Sequence, residues 1–149
     1  MTRSSFAVLA LALALTSTAR AESKAEVLVE QRQAAMILQG KYFGPLVAMA
    51  KGKVPYDAKT AARNAEFLAV LSKMPWDGFD PSTKGQKSGA LPAVYTNTAK
   101  FKEAADRFEA EADKLVATSK SGDEAAVKAQ IGAVGKTCGA CHDDFRQKE

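Results

Sequence analysis

The chain has 149 residues, 46% of them hydrophobic and 26% charged, which is enough for one ordinary domain with its own core. Its formal net charge of +4 includes Arg3 and Arg20 in an acid-free leader-like segment; without them 19 Lys and Arg face 17 Asp and Glu, a net of +2. A balance so near neutrality gives no argument for nucleic-acid binding.

The first elements are targeting signals. Met1-Thr2-Arg3, the apolar run from Phe6 to Leu15 and Ala19-Arg20-Ala21 have the layout of a secretory signal peptide, 1–21, cleaved after Ala21. That run is too short for a membrane span, and no other apolar run is long enough. The expected mature protein is residues 22–149, a single domain in the periplasm.

From Ala25 to about Met49, apolar residues at Leu28, Ala35, Met36, Leu38, Phe43, Leu46 and Val47 have mostly helical spacing. Gly40 and Gly44-Pro45 predict a bend or loosened turn in the second half of that helix. Gly52 to Pro55 breaks the pattern, and Asp57 is a fitting N-cap for a second helix carrying Ala61, Ala65, Leu68, Leu71 and Met74. Pro75 is expected to end it. Trp76 to Pro92 is rich in Pro, Gly and small polar residues and reads as a long loop, a kind that in compact domains is often packed or functional.

The third helix shows Phe101, Ala105, Phe108, Ala112 and Leu115 at steps of four and three and stops near Gly122. Ser121 and Glu124 have capping-box spacing and predict the start of a fourth helix. Its apolar stripe is Val127, Ile131, Val134, Cys138, Cys141 and Phe145, which puts both cysteines on the buried face. No segment sustains the period-two alternation of a strand. The expected fold is all-α, an antiparallel up-down-up-down four-helix bundle.

Cys138-Gly139-Ala140-Cys141-His142 is the attachment signature of c-type haem. On a helix, residues three and four apart share a face, so Cys138, Cys141 and His142 can all address one ligand. Two thioether bonds would fix the porphyrin, and His142 would ligate its iron. Two other readings are weaker. A zinc site needs further ligands, and the chain has no other Cys or His. A redox dithiol normally follows a strand, which is missing here, and export would oxidise the pair unless the thiols were consumed. Two haem propionates would bring the mature charge close to zero.

The second axial position decides the function. His142 is the only histidine, so the candidate distal ligands are Met36, Met49, Met74 or a lysine. Met36 falls on the inward stripe of the first helix, where a methionine also serves as pocket wall or ordinary core. If no side chain binds there, the iron is five-coordinate and open to small ligands such as nitric oxide and carbon monoxide. No distal hydrogen-bond donor is evident, so discrimination between gases is expected.

The chain resembles the cytochrome c′ family. Besides the haem motif near the C-terminus, the likeness runs through Arg32-Gln33, the turn Lys51 to Asp57, Leu71-Ser72-Lys73-Met74-Pro75-Trp76 and Phe145-Arg146. It implies one covalent haem c per chain, a homodimer, a high-spin five-coordinate iron and an apolar distal residue at Met36. It also implies that Arg32 lies near a propionate, with Gln33 beside it, and that Arg146 lies beside His142. In low-spin relatives of the fold a methionine at the position of Met36 binds the iron.

The resulting expectation is a gas-binding protein, not an enzyme, with a redox partner protein as a further partner. The rival is an electron carrier with Met36 as sixth ligand. Trp76 and Tyr95 are expected to pack as core with a polar atom near the surface, and the role of Phe79 stays open. Tyr42 and Phe43 are candidates for a dimer face. Asp143 and Asp144 diverge on their helix and form no catalytic dyad.

Overall fold

The computed structural model describes residues 22–148, so the expected signal segment lies outside the described residues. Helix α1, Lys24–Ala50, starts from a capping box: the Ser23 hydroxyl accepts from Glu26 N (3.3 Å), and the Glu26 carboxylate accepts from Ser23 N (2.7 Å). The helix runs unbroken through Gly40, Gly44 and Pro45, so the loosened turn expected there does not form. Proline deprives α1 of a single internal hydrogen bond, and the burial of Leu46 and Met49 on the next turn holds the segment in place.

Helix α2, Ala58–Leu71, begins as expected at Asp57, whose carboxylate accepts from Thr60 N (2.6 Å). It ends earlier than Pro75. Lys73 N and Met74 N turn back onto the carbonyls of Val70 and Leu71, closing the helix in a tighter turn, and the residue before a proline is barred from continuing it. Met74 therefore leaves the inward stripe and stands 54% exposed.

The segment that follows is packed, as a functional loop would be. It forms two short 3-10 turns, Trp76–Phe79 and Pro81–Thr83, and a one-turn helix α3, Ala93–Thr96. Gly78 makes the packing possible, since a Cβ there would lie 2.6 Å from Arg32 Cβ and 2.7 Å from the Leu28 carbonyl oxygen of α1. Helices α4, Thr98–Ser119, and α5, Glu124–Phe145, complete the chain. The cap of α5 is Asp123, whose Oδ1 accepts from Ala125 N and Ala126 N, and not the predicted Ser121–Glu124 box; Ser121 Oγ instead accepts from Asp123 N.

The four long helices form a ring in which α1 touches α2, α2 touches α4, α4 touches α5, and α5 returns to α1. Cross-links show the antiparallel sense: Gln130 reaches Glu111 and Lys100 pairs with Asp144, so α5 descends as α4 rises. This is the up-down-up-down bundle. Among the described residues there is no strand beyond one isolated bridge, Ala90 with Arg146, and no helix long and apolar enough to cross a membrane.

Two apolar clusters make the core. The larger gathers Leu46, Leu68, Phe108, Leu115, Val127, Ile131 and Val134, with buried Ala61, Ala65 and Ala112 letting the helices approach. The smaller holds Val94, Ala104 and Phe145 at the other end, with Phe79 and Phe101 against it. Cys138 packs on the first cluster and Cys141 on the second, so the cysteine motif spans the gap between them.

Candidate functional site

A cavity of about 780 Å³ opens in that gap. The helix α5 wall supplies Cys138, Cys141, His142 and Phe145, at the three- and four-residue steps that turn one face inward. The opposite wall consists of Met36, Gln39 and Phe43 from α1, Leu68 from α2, and Trp76 and Phe79. Aromatic rings brace one side: Phe79 meets Phe101 at 4.8 Å and Phe101 meets Phe145 at 5.1 Å, both edge to face.

Neither cysteine is in a disulfide, and both are partly buried. Burial first, then the neighbouring Cys141, pushes the Cys138 thiol above its ordinary pKa; burial and then Asp144 do the same to Cys141, with Arg107 opposing. Such thiols stay protonated at neutral pH, unlike the activated thiolate of a redox dithiol. The His142 ring reaches solvent at the cavity rim, yet partial burial and then Arg146 lower its pKa, with Asp143 opposing, and favour the neutral imidazole. No cluster of three or more His, Cys, Asp or Glu side chains with metal-holding geometry occurs among the described residues.

Arg32 is 3% exposed and stands in the cavity wall. Its Nη1 donates to Gly78 O (2.5 Å), Thr83 Oγ1 (3.0 Å) and Tyr95 Oη (3.2 Å), its Nη2 donates to Ser88 Oγ (2.9 Å), and its guanidinium lies 4.4 Å from the Phe79 ring centroid. All four acceptors are neutral, and none of the ion pairs among the described residues includes it. A buried cation without a counter-charge is costly, and an anionic group in the cavity would answer it.

The structure thus brings seven candidates from the sequence to this one cavity: Cys138, Cys141, His142, Arg32, Met36, and, exposed at its rim, Gln33 and Arg146, whereas the alternative distal ligands Met49 and Met74 lie outside it. A recess on the outer side of His142 is lined by Asp143, Arg146, Gln147 and Lys148. Other expectations need correction. The Tyr95 hydroxyl does not face the surface but joins the Arg32 cluster, also meeting Thr83 Oγ1 at 2.9 Å. Trp76 Nε1 is buried without a hydrogen-bond partner. Phe43, a candidate for a dimer face, is partly buried and packs its ring against the core, 3.7 Å from where a Cβ on Gly135 would stand. Gln39, Thr83 and Ser88 were not singled out by sequence reasoning, since polar residues in helices and loops carry no sign that they are buried.

The residues fit a haem. The cavity is apolar over most of its wall, carries two unpaired thiols and an imidazole on one helical face, and holds an uncompensated guanidinium suited to a propionate. A four-helix bundle with this site is a c-type haem protein. The family model for cytochrome c′ matches residues 27–146. Cytochrome c′ from Rubrivivax gelatinosus is 48% identical over 121 residues, covering 80% of this chain and 94% of its own. Its crystal structure superposes with a TM-score of 0.77 at 46% identity, again over 80% and 94% of the two chains. A nitric oxide complex of a variant cytochrome c′ from Alcaligenes xylosoxidans gives 0.79 at 36% identity, covering 87% of this chain and all of that one. The chain belongs to the cytochrome c′ family, whose members carry covalent haem c.

The Arg32 cluster predicts the effect of removing its centre. Arg32→Met deprives Gly78, Thr83, Ser88 and Tyr95 of their shared donor and is expected to cost about 1.5–3 kcal/mol, the worth of hydrogen bonds to a charged group. Hydrogen exchange should quicken in residues 76–95 ahead of the long helices. Unchanged protection of that segment would contradict the assignment of Arg32 as its anchor.

Proposed function

We propose that the chain is an exported, periplasmic haem protein, cleaved to 22–149, in which Cys138 and Cys141 hold the porphyrin and His142 holds the iron from one side. The other side stays open to small gases, nitric oxide and carbon monoxide among them. When bound, the haem supplies an iron centre that takes a diatomic ligand and exchanges one electron.

The observation that carries this reading is the fate of the methionines. Met49 is 3% exposed and its Sδ accepts from Asp57 N at 3.3 Å, so it is committed to the turn after α1. Met74 is on the surface. Among the described residues Lys148 is the one cavity-lining lysine, and it stands on the His142 side. Met36 alone remains opposite α5, in a wall otherwise built of Gln39, Phe43, Leu68, Trp76 and Phe79. That wall, apolar except for Gln39, favours an open ligand pocket over a sixth iron ligand. Relatives support the gas-binding reading, since variants of the Alcaligenes protein have been solved with nitric oxide and with carbon monoxide bound.

Within the site, Arg32 pairs with a propionate, Gln33 borders it at the rim, and Arg146 stands beside His142. Binding is the role that the lining favours: the described cavity wall is mostly apolar, and among the described residues no carboxylate lines it. A redox partner protein would exchange electrons at the rim. The second reading, a low-spin carrier with Met36 as sixth ligand, keeps its one support: Met36 is the thioether that faces the α5 wall.

A different surface supports assembly as a homodimer. Ile37 is 72% exposed, Val70 57%, Phe67 44% and Leu38 40%, all on α1 and α2, and Tyr42 rests on Phe67 with ring centroids 4.7 Å apart. Such an apolar patch fits a second copy of the chain.

Two measurements test these readings. The ferrous holoprotein should show a high-spin spectrum that changes on adding carbon monoxide, and Met36→Ala should speed ligand entry with little effect on the resting spectrum. A low-spin spectrum indifferent to carbon monoxide, converted to high spin by Met36→Ala, would establish the electron-carrier reading instead. Sedimentation should give the mass of two chains, weakened by Val70→Glu; one chain at every concentration would exclude the dimer.

A further inference from the structure

Gln39 is an uncharged polar side chain buried in the cavity wall, 8% exposed, on a face where the sequence made no hydrogen-bond donor evident. It follows Met36 by three residues, which puts both on one side of α1, and both line the wall opposite His142. Its Nε2 donates to the Leu71 carbonyl at 2.8 Å. A carbonyl can only accept, so this bond fixes which end of the amide is nitrogen. One N–H hydrogen is used there. The second hydrogen and Oε1 have no partner among the described residues.

The bond to Leu71 does not account for the residue. Leu71 O already accepts from Met74 N at 3.2 Å, so the C-terminal turn of α2 is closed without Gln39. A buried amide with an unused donor lowers stability unless something within the cavity answers it. Met36, Phe43, Leu68, Trp76 and Phe79 around it offer no acceptor oxygen from their side chains.

We propose that Gln39 is the specificity-determining residue of the ligand face: its spare N–H donates a hydrogen bond to a diatomic molecule bound beside Met36. A ligand whose outer atom carries negative charge when bound gains from this donor, and carbon monoxide, a poorer acceptor, gains less. The site thereby favours nitric oxide over carbon monoxide by more than the shape of an apolar pocket would. The proposal rests on the open-face reading given above.

The test uses the ferrous holoprotein and Gln39→Leu, with Gln39→Met as a second variant should the first fail to fold; Leu71 O keeps its bond from Met74 in both. Loaded with carbon monoxide, the variant should show a higher C–O stretching frequency than the parent, because the donor that polarises the ligand is gone. Nitric oxide should leave the variant about 2- to 12-fold faster, the range for losing one net hydrogen bond, while carbon monoxide release changes less. An unchanged stretch together with unchanged release rates would overturn the assignment and leave Gln39 as a strut between α1 and α2. A parent protein that takes up no carbon monoxide would overturn the open-face reading and this proposal together. Uptake with a silent Gln39→Leu overturns this proposal alone.

Discussion

Cys138, Cys141 and His142 line one cavity because α5 is a helix whose inward face is already specified by Val127, Ile131, Val134 and Phe145. Those four residues set the rotation of α5 in the bundle, and the three- and four-residue spacing of the motif does the rest. Turned by half a revolution, the same five-residue motif would face water and hold nothing in the core. The division of the apolar interior into two clusters then leaves a cavity where the motif passes between them.

The wall facing α5 needs a different kind of support, since Trp76–Phe79 comes from a segment with little regular structure. Arg32 provides it, with one buried guanidinium joining Gly78, Thr83, Ser88 and Tyr95 while covering the Phe79 ring. Gly78 lets the backbone come close enough for this to happen. The same charge that orders the segment is the one proposed to meet a propionate, so on that reading the ordering of the wall and the seating of an acidic cofactor edge are coupled. A mobile wall would bind the cofactor less well, and an absent counter-ion would leave the wall less stable.

Much of the bundle was legible because α4 and α5 are polar on one side and apolar on the other. Phe108, Ala112 and Leu115, and Val127, Ile131 and Val134, are buried where their spacing puts them. Helix α1 was harder to read. Ile37 and Leu38 are exposed while Arg32 and Gln39 are buried, an inversion that arises because this helix lends two polar side chains to a mostly apolar cavity and carries apolar side chains outside. The partners of Arg32 lie 46 to 63 residues away in the chain, so no local pattern could announce them. Local competition explains the misplaced cap of α5: Ser121 and Asp123 both offer a side-chain oxygen, and Asp123 is the one beside the first helical residue. Within the site, the motif was plain and the opposite wall was not, since a buried glutamine looks in sequence like a solvated one.

The central claim is covalent: the two sulfurs of α5 carry one porphyrin. The most direct measurement is intact and fragment mass spectrometry of the exported protein. The account predicts a chain starting at Glu22 that is heavier by one haem, with the added mass confined to the fragment holding Cys138 and Cys141. A chain of unmodified mass, with those sulfurs free or joined to each other, would contradict it.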